Sequence, residues 1–179
     1  MANIFSDVLI AKNNGDVVDA GNTLGVNKTS VGIVTLTANP AQNDVLMFLD
    51  LPSNAKLSSL RHFNDSMGTA ATNSFGIYAA QQFKDASGTV FKENDVIDIK
   101  AFVDNQPLMA QQILVQAIES LYDPTGTLNT PANSQFELWE LAGLAEDPEV
   151  NLRIGWNIDT IFTGFQTGSI VVYVHHTGK

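Results

Sequence analysis

Residues Val45–Tyr78 read VLMFLDLPSNAKLSSLRHFNDSMGTAATNSFGIY. Two apolar runs flank Leu51-Pro52-Ser53-Asn54-Ala55, and a third follows a stretch rich in Gly, Ser and Asn. Pro presets φ for a turn, and Asn and Ser hydrogen-bond their own backbone there. Short apolar runs joined by such turns describe an antiparallel sheet. The pattern predicts strands over Val45–Leu51, Lys56–Phe63 and Asn73–Ala80. Strict alternation would put Val45, Met47, Leu49 and Leu51 on one face.

Upstream, Val31–Thr37 (VGIVTLT) is rich in β-branched residues and predicts another strand. Asn39-Pro40-Ala41-Gln42-Asn43-Asp44 forms the turn between them. Downstream, Asp85-Ala86-Ser87-Gly88 predicts a tight turn into Thr89-Val90-Phe91. The period then changes. Ala110, Ile113, Leu114, Ala117, Ile118 and Leu121 make a helical stripe over Leu108–Leu121, with Pro107 at its start, where a missing N–H costs nothing. Ser134-Gln135-Phe136-Glu137 reads as a capping box. It would open a second short helix through Leu138, Trp139 and Leu141, stopped at Gly143. Asp123–Asn133 is the loop between.

The clearest strand comes late. Leu152, Ile154, Trp156 and Ile158 alternate with Arg153, Gly155, Asn157 and Asp159, so one face is expected dry and the other wet. A loop around Gly164-Phe165-Gln166-Thr167-Gly168 leads to a last strand, Ile170–His175. Strands, then helices, then strands predict a mainly β, antiparallel β-sandwich with one or two short helices in crossover loops. Residues 1–29 differ: Asn and Gly interrupt every apolar cluster. They are read as an extended N-terminal arm, with residues 30–179 as the sandwich domain. Ile4, Phe5, Val8, Leu9 and Ile10 would anchor the arm on another subunit. An edge strand of the chain's own sheet, or a flexible terminus, is the plainer alternative.

With 179 residues and 44% hydrophobic content the chain can bury one sizeable core. No apolar run approaches the roughly 18 residues that cross a bilayer, and the N-terminus lacks the basic start of a secretory signal. No membrane partner is expected. The net charge of −10, with nine scattered basic residues, argues against nucleic acid as a partner. Cysteine is absent, which removes disulfides, thiolate metal sites and a thiol nucleophile.

The remaining chemistry is sparse. His175 and His176 are neighbours on a strand and point to opposite faces, and His62 lies far off in sequence, so a zinc site is not expected. Glu137 and Glu140 beside Trp139, or Asp95 and Asp98, could be a glycosidase pair. Capping already accounts for Glu137. Asp85-x-Ser87-Gly88-Thr89 is only superficially like a calcium loop and reads better as a hairpin turn. Gly-x-Ser-x-Gly, Walker A and dinucleotide fingerprints are missing from the sequence. Phe48, Phe75, Tyr78, Trp139, Trp156 and Tyr173 read as core. Phe162 and Phe165, in a Thr- and Gly-flanked loop, read as more exposed, and either contact a subunit or cover the sheet end.

The order of these features resembles the capsid decoration, or cement, proteins of tailed bacteriophages. It runs from Asn43-Asp44-Val45 through Leu51-Pro-Ser-Asn-Ala-Lys-Leu and Gly76-Ile-Tyr78 to Phe102. Glu137-Leu-Trp-Glu-Leu-Ala-Gly-Leu144, Asp147-Pro148 and a terminal strand pair complete it. The resemblance covers about Ser30 to His175. It implies a jelly-roll-like sandwich on the capsid exterior that binds the major capsid protein, acts as a dimer or trimer, uses no cofactor and catalyses nothing. Two other readings are a tail, neck or fibre component and a carbohydrate-binding module.

Overall fold

The computed structural model describes residues 3–6, 28–69, 71–108, 112–116 and 136–177. Its strands are β1 (Asn3–Phe5), β2 (Lys28–Leu36), β3 (Val45–Pro52), β4 (Lys56–Asn64), β5 (Ala71–Ala79), β6 (Phe83–Lys84), β7 (Val90–Phe91), β8 (Val96–Leu108), β9 (Gln112–Gln116), β10 (Asn151–Thr160) and β11 (Gly168–Thr177). One short helix, α1 (Leu138–Leu141), precedes β10. One sheet has the order β1-β3-β10-β5-β8 and the other β2-β11-β4-β9, while β6 and β7 form a separate hairpin. Consecutive strands β2 to β5 alternate between the two sheets, as do β8 to β11. That interlocking is the double Greek key of a jelly roll. The antiparallel sandwich expected from the sequence is the observed architecture.

The core lies between the sheets. Trp156 on β10 stacks on Phe75 of β5 at 4.9 Å and meets Phe48 of β3 at 6.0 Å. His62 of β4 faces them from the opposite sheet, 5.0 Å from Trp156. All four are fully buried. At one edge, Gly32 of β2 brings two backbones together: a Cβ there would sit 2.6 Å from the Phe48 carbonyl oxygen. Only glycine permits that approach.

Four expectations are corrected. First, Leu108–Leu121 is not a helix where it is described: Leu108 ends β8 and Gln112–Gln116 is β9, paired to β4. Residues 109–111 and 117–121, and the Asp123–Asn133 loop, lie outside the described residues. Pro107 sits in β8 opposite Thr72, on a sheet-edge strand where Pro is tolerated. Second, α1 starts at Leu138 with Glu137 as its N-cap, and Phe136 and Glu137 are not helical as a cap at Ser134 would require. The Glu137 N–H donates to Glu140 Oε2 at 2.7 Å, so the capping box is shifted by one turn. Third, β3 does not alternate strictly. A register shift opposite Ile154/Gly155 leaves Val45 and Met47 in one cluster with Tyr78, and Leu49 and Leu51 in the main core. Fourth, the second face of β10 is not wet. Arg153 and Asn157 are 1% and 2% exposed. β10 is central, with β3 and β5 on its two sides.

Candidate functional site

The proposed contact residues separate into two places. Ile4 and Phe5 lie in β1, which pairs in parallel with β3 through Asn3↔Val45, Ile4↔Leu46 and Phe5↔Met47. The Ser6 N–H extends the ladder to the Met47 carbonyl at 2.6 Å, and its hydroxyl donates to the Phe48 carbonyl. Ile4 packs on the main core and Phe5 on the Val45, Met47 and Tyr78 cluster. Val8, Leu9 and Ile10 lie outside the described residues.

Phe5 also faces a buried ionic network. Arg153 places its guanidinium carbon 5.4 Å from the Phe5 ring centroid. Its Nε and Nη2 donate to the two Asp50 carboxylate oxygens at 2.6 and 3.1 Å, and Nη1 donates to Asn94 Oδ1 at 2.5 Å. Glu93 stands 3.6 Å from Nη1. Three of the five N–H donors of this guanidinium are therefore spent on Asp50 and Asn94.

Phe162 and Phe165 are brought together, edge to face, at 5.9 Å. Phe162 is 4% exposed, so the expectation of an exposed ring is corrected. Asn39 Nδ2 donates to the Phe162 carbonyl at 2.9 Å, and the loop is tied back by Thr163–Thr69 and Gln166–Met67 backbone bonds. Phe165 is half-buried against the same core. The exposed apolar residue of this loop is Ile161, at 46%. Sequence reasoning passed over it, although alternation from buried Phe162 places its neighbour outside. Val90 on the β6–β7 hairpin is 52% exposed for the same reason. Phe83 and Phe91 beneath it stack at 5.1 Å.

The candidate catalytic groups are committed to local structure. Glu137 Oε2 accepts from Trp139 Nε1 at 2.8 Å, while Glu140 caps α1. Asp95 and Asp98 accept the Lys92 and Lys100 backbone N–H groups. Asp85 accepts from the Ser87 hydroxyl and the Thr89 N–H, both at 2.7 Å. The Ser87 bond above all holds its carboxyl below the ordinary carboxylate range. The paired histidines do diverge. His175 Nδ1 meets the Thr29 hydroxyl at 2.8 Å, and His176 Nε2 meets the Ser30 hydroxyl at 3.0 Å. Burial chiefly, then Lys28 and His175, keeps His176 below its usual pKa. Tyr78 is raised by burial first and the Asp159 carboxylate second, so it stays a neutral phenol. Among the described residues no three His, Cys, Asp or Glu side chains cluster as metal ligands would.

One concavity stands out that sequence reasoning did not anticipate. A groove of about 440 Å³ opens beside the β3–β4 turn, lined by Ser53, Asn54, Gln81, Asp147, Glu149 and Asn151 among others. Its lining is largely polar, interrupted by Pro52 and Val150, and carries no basic side chain. The Ser53 hydroxyl donates to Asp147 Oδ1, which also accepts the Glu149 N–H at 2.9 Å.

The fold is similar to that of a phage capsid chain. A chain of the solved structure described as the capsid of Ralstonia phage GP4 matches with a TM-score of 0.61 at 16% identity, over 99% of each chain. A chain of the cyanophage Pam1 capsid asymmetric unit matches with a TM-score of 0.47 at 13% identity, over 91% of this chain and 94% of that one. No family model and no curated protein matches the sequence. At such identities the shared property is the fold.

Proposed function

We propose that this chain is a virion structural protein of a bacteriophage, and specifically a decoration protein. It would bind the outer surface of the head and tie neighbouring major capsid subunits together. The observation that carries the reading is the end-to-end likeness, 99% of both chains, to a chain of a phage capsid. The commitment of each described candidate acid and histidine to capping, turns or strand contacts supports a scaffold rather than an enzyme. Attachment would use the exposed apolar points at Ile161 and Val90, with Phe162 and Phe165 fixing the loop from beneath. Val8, Leu9 and Ile10 would serve as further anchors on an adjacent subunit. Self-association as a dimer or trimer belongs to the same reading, because a symmetric lattice presents repeated sites. Modest contacts suffice there, since linked copies gain from effective concentration.

The test is to image the native particle and count this chain. A copy number comparable to the major capsid protein, with density on the head exterior, is the expected result. Density confined to the neck, tail or fibres at a small fraction of that number would refute the decoration role and leave the tail reading. Adding the purified chain back to heads that lack it should raise their heat resistance.

A further inference from the structure

We propose that the outward face of β2, β11 and β4 packs against the same face of a second copy of this chain. The two-fold axis would run along the row Ile33, Val171 and Phe63. This rests on the decoration reading and names the surface through which its copies associate. Register places two rows of side chains on this face. Ile33 lies opposite Val171, and Val171 opposite Phe63. Val31 lies opposite Tyr173, and Tyr173 opposite Arg61. The alternate positions Val34, Val172 and Leu60 belong to the core, so both rows point away from it. An antiparallel sheet with a free outer face is expected to be polar there. Here five of the six positions are apolar or aromatic. Ile33 is 37% exposed, and Phe63 stacks on Tyr173 at 6.2 Å. Polar rows bound the patch at both ends: Thr29 with His175, and Thr35 with Ser169. An apolar centre inside a polar rim is the anatomy of a subunit contact.

The charges on the face select the occupant. Among the described residues Arg61 enters no ion pair, and its Nε is shielded from solvent without a hydrogen-bond partner. Asp65 follows on the same face, about 13 Å along the chain from Arg61, with Phe63 between them. Its Oδ2 accepts the Ser169 N–H at 2.8 Å, and it too enters no ion pair among the described residues. A two-fold axis lying in the interface and crossing the strands at the Ile33, Val171 and Phe63 row reverses the strand direction of the second copy. The apolar row then meets itself. Arg61 meets Asp65 of the second copy, and Asp65 meets Arg61 of the second copy. One symmetric contact thus pairs both charges twice around an apolar centre. An unrelated surface would have to supply an acid and a base at the same spacing, whereas a second copy supplies them by symmetry.

Two measurements on the full chain test this. In the first, sedimentation equilibrium compares wild type, Arg61→Asp, Asp65→Arg and the double exchange Arg61→Asp/Asp65→Arg. Each single reversal should weaken self-association roughly tenfold, since it turns two attractive pairs into repulsive ones. The double exchange should restore it, which a variant that merely misfolds cannot do. Equal association of all four, or a double exchange no better than the single reversals, overturns the proposal. In the second, Ile33→Cys is treated with a short bis-maleimide. The chain has no cysteine of its own, and stacked sheets about 10 Å apart are too wide for a direct disulfide. Covalent dimers are expected, and Ala86→Cys on the exposed turn of the β6–β7 hairpin should give few. Equal yields from the two variants, or no dimer from Ile33→Cys, overturn the proposal. Attachment of wild type to heads lacking the chain is measured in parallel. Attachment without pairing overturns the paired face and leaves the decoration reading intact. Pairing without attachment refutes the decoration reading and leaves the paired face.

Discussion

Arg153→Met is the perturbation whose size follows most directly from the structure. Arg153 and Asp50 have side chains 1% and 5% exposed, and their bidentate bonds measure 2.6 and 3.1 Å. Methionine keeps the length of the apolar stem but removes the fork of donors. Asp50 then remains a buried carboxylate without its guanidinium, which costs about 3–5 kcal/mol in comparable settings. The Asn94 bond and the contact over Phe5 are lost as well, but these terms overlap and do not simply add. We expect a loss of about 4 kcal/mol, which for a chain of this size lowers the melting temperature by roughly 10 °C. Moderate salt should alter the difference little, because a buried pair is poorly screened.

Urea unfolding followed through the fluorescence of buried Trp156 measures the loss. The decisive comparison is the double variant Asp50→Leu/Arg153→Met. Replacing both charges with apolar groups removes the desolvation penalty along with the attraction, so the double variant should lie within about 2 kcal/mol of wild type. A single-variant loss below about 1 kcal/mol would refute the claim that this pair is buried and coupled. So would a double variant as unstable as the sum of the two single ones.

Gly76→Ala should destabilise the fold strongly, since a Cβ would sit 2.5 Å from the Asp98 carbonyl oxygen and 2.6 Å from Ile99 Cα. Separation of β5 from β8 should then appear as faster amide exchange on both strands, and wild-type exchange rates would contradict it. Trp156→Ala empties the centre of the aromatic core and should cost about 3–5 kcal/mol by urea denaturation; a loss under about 1 kcal/mol would contradict the core placement. His176 has a folded pKa depressed below 6.5, so its unfolded state takes up the proton first. Stability should fall as pH drops below 6.5 until the folded pKa is passed. His176→Gln should flatten that part of the profile, and parallel profiles for variant and wild type would exclude the effect.

The strands were legible where two signals agreed. Along β3, β4 and β5 apolar runs coincide with turn residues, Pro-Ser-Asn or a stretch rich in Gly, Ser and Asn, and each strand lies within a residue or two of its expected position. The failures occurred where one signal stood alone. QILVQ at Gln112–Gln116 is too short for its apolar spacing to separate helix from strand, and its β-branched residues were outvoted by a longer stripe. At α1 the sequence offers two capping-box spacings, Ser134 with Glu137 and Glu137 with Glu140, and the described helix is capped through the second. The polar face of β10 was misread because alternation reports which residues differ, not what covers them. The groove was invisible because its lining joins the β3–β4 turn to Gln81 and to residues 147–151, which only the fold brings together.

The distribution of burial narrows where a binding surface can lie. On the sheet containing β3 and β10, both faces of the central strand are buried: Trp156 and Ile154 on one side, Arg153 and Asn157 on the other. That face is stabilised by charge pairing and by the aromatic cap of Phe5, so exposing it to grip a partner would break the network just described. On the other sheet, β2 alternates between buried Val34 and Leu36 and exposed Ile33 and Thr35, with Phe63 and Tyr173 stacked at 6.2 Å on neighbouring strands. The exposed apolar points proposed for attachment, Ile161 and Val90, lie away from that face, in the loop after β10 and on the β6–β7 hairpin. A rigid double sheet that presents several small, separated contacts suits lattice binding better than it suits catalysis. Catalysis gathers its groups at one point, whereas a clamp must reach more than one neighbour at once.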